Sequence, residues 1–206
     1  MIVTDMGTDN DYETPEAGTY AGRCIRLVDV GTRDNEWKGE IKKQRQVRIT
    51  WEISEKMSDG KPFVVADSFT LNIGEKSNLG KILNSWRGKP FTDEEKKGFD
   101  LSTIIGISGL VSVSYRESKG KQYQNIKSVL QLPKGMTVED QYNDSFLFDI
   151  EDIHDVEKLK KLWGLERWQI ERSDEFVAAE LTMPDRPKKD EAEKDDDDDL
   201  EDSPAF

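Results

Sequence analysis

Cysteine and histidine, which carry much of enzyme and metal chemistry, are nearly missing from this chain of 206 residues: it has one of each, Cys24 and His154. A single thiol makes no internal disulfide, and Cys24 lies in an apolar, strand-like run where a small core residue is expected rather than a nucleophile. His154 sits in an acidic helical stretch with no Cys, His or acid at metal-ligand spacing, so no metal site is indicated. The glycines form no phosphate loop of the G-x-x-x-x-G-K-[ST] type. No run approaches the ~20 apolar residues of a membrane helix. The first residues lack the basic and apolar regions of a secretory signal. No internal repeat is present. A soluble, cytoplasmic, non-catalytic protein without metal or cofactor is expected.

What the chain has in excess is charge, and it is unevenly placed. The net charge is -13. Residues 1–17 carry five acids and no bases. Residues 18–135 carry 21 Lys and Arg against 14 acids, a net +7. Residues 136–182 carry 5 against 13, and residues 183–206 carry 4 against 11. The middle is therefore a basic island in an acidic chain. The bland reading of the total is solubility; the segregation points instead to a polyanionic partner for the island.

Along the island the pattern is mostly of strands. Residues 18–31 form a first strand, with Gly22 marking a bulge or bend. A charged loop over 32–43 follows, centred on Trp37. That tryptophan either folds over the core edge or stands out as a stacking platform among Arg33, Lys38, Lys42 and Lys43. In the second strand Val47, Ile49, Trp51 and Ile53 alternate with Arg48, Thr50, Glu52 and Ser54. A turn at 58–60 leads to a third strand over 62–71. Ser77 is placed to cap a helix whose apolar face is Leu79, Ile82, Leu83 and Trp86. Gly88 ends it and Pro90 prevents a restart. Thr92 and Glu95 have capping-box spacing. A fourth strand over 109–117, a turn at 117–120 and a fifth strand over 121–132 complete the island.

Three strands, a helix, then a hairpin is the element order of a five-stranded OB-fold barrel with a helix between strands 3 and 4. The expected fold class is mainly β with added α. Domain bounds are a flexible acidic segment over 1–17, the nucleic-acid-binding barrel over 18–135, a helical appendage over 136–182 and a disordered acidic tail over 183–206. In the appendage, Val156, Leu159, Leu162 and Trp163 form a helical stripe ending at Gly164, and Ser173 starts a short helix.

In an OB-fold the ligand face is built from strands 2 and 3 with the loops joining strands 1–2 and 4–5, where this chain concentrates bases and aromatics. Stacking candidates are Trp37 and Tyr123, with Phe63 and Tyr115 behind them. Phosphate candidates are Arg33, Lys38, Lys42, Lys43, Arg48, Arg116, Lys119, Lys121 and Lys127. Stacking contributes roughly 1–3 kcal/mol per base whatever the sequence.

The segments at 79–92 (Leu-Gly-Lys-Ile-Leu-Asn-Ser-Trp-Arg-Gly-Lys-Pro-Phe-Thr), 99–101, 121–129 and 132–135 resemble, in that order, segments of small replication-region proteins of tailed phages. The likeness spans about residues 18–182. It implies an OB-fold single-stranded DNA-binding protein of bacteriophage DNA replication or recombination. The tail is similar to the acidic, Phe-ended tails of bacterial and phage single-stranded DNA-binding proteins. It maps onto Asp195, Asp196, Asp197, Asp198, Asp199, Glu201, Asp202, Pro204 and Phe206, with Ala205 standing between the Pro and Phe that are usually adjacent. That likeness implies recruitment of a polymerase, helicase or primase, recombinase or nuclease. The residues also leave open a recombination mediator, an acidic interaction module or DNA mimic, and a metal-dependent nuclease.

Overall fold

The computed structural model describes residues 13–186 except Lys38, Lys119 and Gly120, and gives the backbone alone for Trp37, Ser118 and Lys121. Its strands are β1 (Gly18–Trp37), β2 (Glu40–Lys56), β3 (Pro62–Thr70), β4 (Ser108–Ser118), β5 (Lys121–Gln131) and β6 (Phe146–Phe148). Its helices are α1 (Asn78–Arg87), α2 (Val156–Lys160), α3 (Gly164–Glu171) and α4 (Asp174–Ala178). The sheet follows the path β3-β2-β1-β4-β5, every pair antiparallel, and β6 joins β1 in parallel.

β1 is the strand both halves of the protein share. Its first part, Gly18 to Arg23, pairs with β4; the same strand then takes β6 against Arg26, Leu27 and Val28. Two register shifts, between Cys24 and Arg26 and between Asp29 and Gly31, re-aim its side chains. Cys24 and Leu27 enter a first core with Val47, Ile49, Trp51, Val65, Leu83, Trp86, Val111 and Val129. Val28 and Val30 enter a second with Phe148, Ile150, Ile153, Leu159, Leu162, Ile170 and Phe176. Gly22 is not itself the bulge. It lies between Ile53 and Gly109 on the two flanking strands, and a Cβ there would meet the Glu52 carbonyl oxygen at 2.8 Å.

α1 forms as its caps demand. The Ser77 hydroxyl accepts from Gly80 N at 3.0 Å, and Gly88 ends the helix in the left-handed region at φ 69°. Leu79, Ile82, Leu83 and Trp86 are buried. Trp86 Nε1 donates to Ser108 O at 2.9 Å, tying the helix to the start of β4. Thr92 and Glu95 make the reciprocal box, Glu95 N to Thr92 Oγ1 at 3.2 Å and Thr92 N to Glu95 Oε2 at 2.8 Å, opening one 3-10 turn.

Four segments differ from their sequence reading. The expected loop over 32–43 is strand: β1 and β2 continue as a two-stranded arm, paired from Gly31↔Gln46 to Trp37↔Glu40 and turning at Gly39 with φ 81°. An antiparallel ladder satisfies the backbone whatever the side chains, so polar residues hide it. β6 is three residues long, too short to show a period. Gly164 begins α3 rather than ending a helix, so the apolar stripe is shared by two short helices. Residues 13–17 lie against the sheet: Tyr115 Oη donates to Pro15 O at 2.5 Å, and Ser58 N donates to Glu13 Oε2 at 2.8 Å. Residues 1–12 of that acidic segment lie outside the described residues.

The appendage is locked to β1 by one buried ion pair. Arg26 Nε and Nη2 donate to Glu166 at 2.8 and 2.7 Å, and Nη2 also reaches Lys161 O at 2.5 Å. The guanidinium lies between the rings of Phe146 and Trp163, at 4.1 and 4.4 Å from their centroids. Glu166 also accepts from Trp163 N at 2.9 Å. Both Glu166 oxygens and the Nε and Nη2 donors of Arg26 are thus paired, as a buried charge requires. Among the described residues no helix is long and apolar enough to cross a membrane.

Candidate nucleic-acid interface

The residues of β2 that alternate with its core positions face away from the first core. Two of them are covered. Thr50 is fully buried, and Glu52 accepts from Tyr142 N, Asn143 N and Asn143 Nδ2 at 2.9, 2.8 and 2.7 Å. The segment entering β6 thus crosses this part of the sheet. Arg48 lies beyond its edge, half-buried and opposite Ser68 of β3, with Nη1 3.5 Å from Ser68 Oγ. It has no ion-pair partner among the described residues.

Arg116 and Tyr123 are direct cross-strand partners on β4 and β5, with the exposed guanidinium 5.8 Å from the ring centroid. Lys127 is exposed at the β5 bulge, where the register passes from Ser112↔Ser128 to Val113↔Ile126 and leaves it as the extra residue. Like Arg48, neither Arg116 nor Lys127 has an ion pair among the described residues.

Asp67 joins these groups. It stands opposite Ile49, on the core side of β3, where the pattern Phe63, Val65, Phe69 leads one to expect an apolar residue. Its Oδ2 accepts from Ile126 N on β5 at 3.0 Å and its Oδ1 from Ser68 N at 2.8 Å. The two ends of the sheet path, β3 and β5, therefore meet through a carboxylate. Burial pushes this carboxyl above its ordinary value, while the two backbone hydrogen bonds and the charges of Arg48 and Arg116 oppose the rise. Both arginines thus act on the same acid across the β3–β5 seam.

That shift carries a sign. The folded state holds the Asp67 proton more tightly than the unfolded chain does, so its stabilising contribution is present at low pH and is lost as pH rises through the folded pKa. Asp67→Asn should therefore gain stability relative to wild type as pH goes from 4 to 7, read by denaturant unfolding at several pH values. A difference that does not change with pH would contradict it. The same change removes a negative charge between two arginines, so affinity for a polyanion should rise about two- to fivefold.

The remaining candidates divide. Lys42 pairs with Glu40 at 2.8 Å and Lys43 with Asp174 at 2.6 Å, both on the arm. Arg33 is half-buried there, with Nη2 donating to Gln46 Oε1 at 2.5 Å. Trp37 pairs through its backbone with Glu40 at the arm tip, and Lys121 with Ser118 beside the β4–β5 turn. Two stacking candidates are corrected. Phe63 is only 8% exposed and belongs to the first core. Tyr115 packs against that core, its hydroxyl given to Pro15. Both lie on the inward face of their strands, Phe63 buried and Tyr115 partly so. Lys38, Lys119 and the tail residues Asp195 to Asp199, Glu201, Asp202, Pro204 and Phe206 lie outside the described residues.

Asp67 was not among the sequence candidates, although an acid at an apolar-face position is a signal that alternation exposes. Cys24 is fully buried and its thiol is pushed up to about 12 by burial, which leaves it a poor nucleophile. Among the described residues no group of three or more His, Cys, Asp or Glu is placed to hold a metal ion. No protein-family model matches this chain, and no curated protein matches it in sequence.

Proposed function

We propose that this protein is a sequence-tolerant single-stranded DNA-binding protein, and that its sheet is a five-stranded OB-type barrel. The observation that carries the reading is that Arg48 and Arg116, neither of them ion-paired among the described residues, both act on Asp67 at the β3–β5 seam, with the Arg116 guanidinium beside the Tyr123 ring. The barrel is supported by the element order, by the path β3-β2-β1-β4-β5, and by the Asp67–Ile126 bond that links its two ends. The basic excess of residues 18–135 supports a polyanionic ligand.

In this reading the strand runs along the outer face of β2, β3 and β5. A base stacks on Tyr123, contributing roughly 1–3 kcal/mol. Arg48, Arg116 and Lys127 neutralise phosphates, each releasing counterions with a salt slope of about -0.7. None of these contacts reads a base edge, so binding is indifferent to sequence. The acids of the tail and Phe206 are proposed to dock replication or recombination proteins, and the chain is proposed to act in the cytoplasm of a phage-infected bacterium.

Photocrosslinking tests the reading. An oligonucleotide carrying bromodeoxyuridine, irradiated with the full chain, should label peptides containing Tyr123. No crosslink, or crosslinks confined to α1 and residues 95–105, would contradict it.

A further inference from the structure

The appendage grips the arm through the first turn of α4. Lys43 Nζ donates to both Asp174 oxygens at 2.7 and 2.6 Å. Thr32 N and Oγ1 donate to Glu175 at 2.8 and 2.7 Å. Gly31, at φ 75°, lies so close that a Cβ there would stand 2.5 Å from Ser173 Cβ. These contacts hold Ser173, the residue after Arg172, against Gly31, two residues before Arg33, and the charge of Arg172 reaches Arg33.

Both guanidiniums are poorly matched. Arg33 has no ion pair among the described residues, and its Nε is buried without a hydrogen-bond partner. Arg172 lies on the Trp168 ring at 4.4 Å from its centroid and donates to Trp168 O at 3.1 Å. Its one ion pair there, to neighbouring Glu171, is long at 3.9 Å. Burial and the nearby charge of Arg172 both make Arg33 give up its proton more readily. Bringing two cations together at a half-buried place is unfavourable until an anion lies between them. A guanidinium held over an indole has less freedom to lose when it makes bidentate contact with phosphate.

We propose that Arg33 and Arg172 form a seat for one phosphodiester of the bound single strand, with Trp168 as its wall. The inference rests on the single-strand reading above and extends it. The acidic appendage carries part of the interface, and the strand passes from the β3–β5 seam to the junction of arm and α3.

The test is a fluorescence-anisotropy titration of labelled oligo-dT over a range of salt, with the full chain, Arg172→Ala, Arg172→Lys and Lys97→Ala. Lys97 is exposed and lies in the 3-10 turn after α1, outside the proposed path. The Arg172 side chain is 53% exposed, so thermal unfolding of Arg172→Ala should match wild type. Arg172→Ala is expected to bind three- to tenfold more weakly, with its salt slope reduced by about 0.7. Arg172→Lys should keep the slope and lose part of the affinity, and Lys97→Ala should match wild type. Wild-type affinity and slope in Arg172→Ala, while the wild-type chain binds oligo-dT, would overturn the seat alone. Failure of the wild-type chain to bind would overturn the single-strand reading, and the seat with it.

Discussion

Glu166→Ala should lower unfolding free energy by about 3–5 kcal/mol, the usual cost of leaving one member of a buried pair without the other. Glu166 is fully buried and Arg26 is 5% exposed, so the stranded guanidinium has little water to turn to. For a chain of this size the midpoint should fall by roughly 10 °C. The double variant Arg26→Met with Glu166→Gln should recover much of the loss. Met puts an unbranched apolar chain beside the rings of Phe146 and Trp163, and Gln keeps an acceptor for Trp163 N. Losses in Arg26→Met and in Glu166→Gln alone that simply add in the double variant would show that the pair is not coupled. Since Arg26 lies on β1 and Glu166 on α3, the loss should appear first in the second core, with exchange of the Ile170 and Phe176 amides accelerating before that of Ile49 or Val65.

Arg48→Ala combined with Arg116→Ala should weaken oligo-dT binding by about ten- to a hundredfold and reduce the salt slope by about 1.4, two phosphate contacts at about 0.7 each. Stability should fall only modestly, because neither side chain enters a core or an ion pair among the described residues, and the loss should come from the buried Asp67 carboxyl that both charges support. The two changes act on one seam and share Asp67, so their effects need not add. Comparing each single variant with the pair measures that coupling. An unchanged slope in the double variant would remove both residues from the interface. Tyr123 separates from them by its salt response: Tyr123→Ala should weaken binding at every salt concentration without altering the slope, because stacking releases no counterions.

The elements that show in the sequence are those whose local chemistry and burial agree. β2 is readable because one face is core and the other is not. α1 is readable because Ser77, Gly88 and the stripe of Leu79, Ile82, Leu83 and Trp86 all mark the same helix. The arm is not, because charged residues line a ladder that stands beyond the first core. β6 exists only because β4 leaves the edge of β1 after Arg23, which no local pattern encodes. The candidate site is half legible for the same reason. Charge placement picks out Arg48, Arg116 and Lys127, and alternation puts Arg48 on the outer face. That Asp67 closes the seam, that Phe63 turns inward and that Ser173 packs against Gly31 all depend on pairings between residues distant in sequence.

The most direct measurement is an equilibrium titration of the full chain with fluorescent oligo-dT and with duplex DNA of equal length, at low salt and then across salt. Binding should be tighter to the single strand, should weaken log-linearly as salt rises, and should depend little on base composition. Absence of oligo-dT binding at low salt, or equal affinity for the duplex, would contradict the single-strand reading.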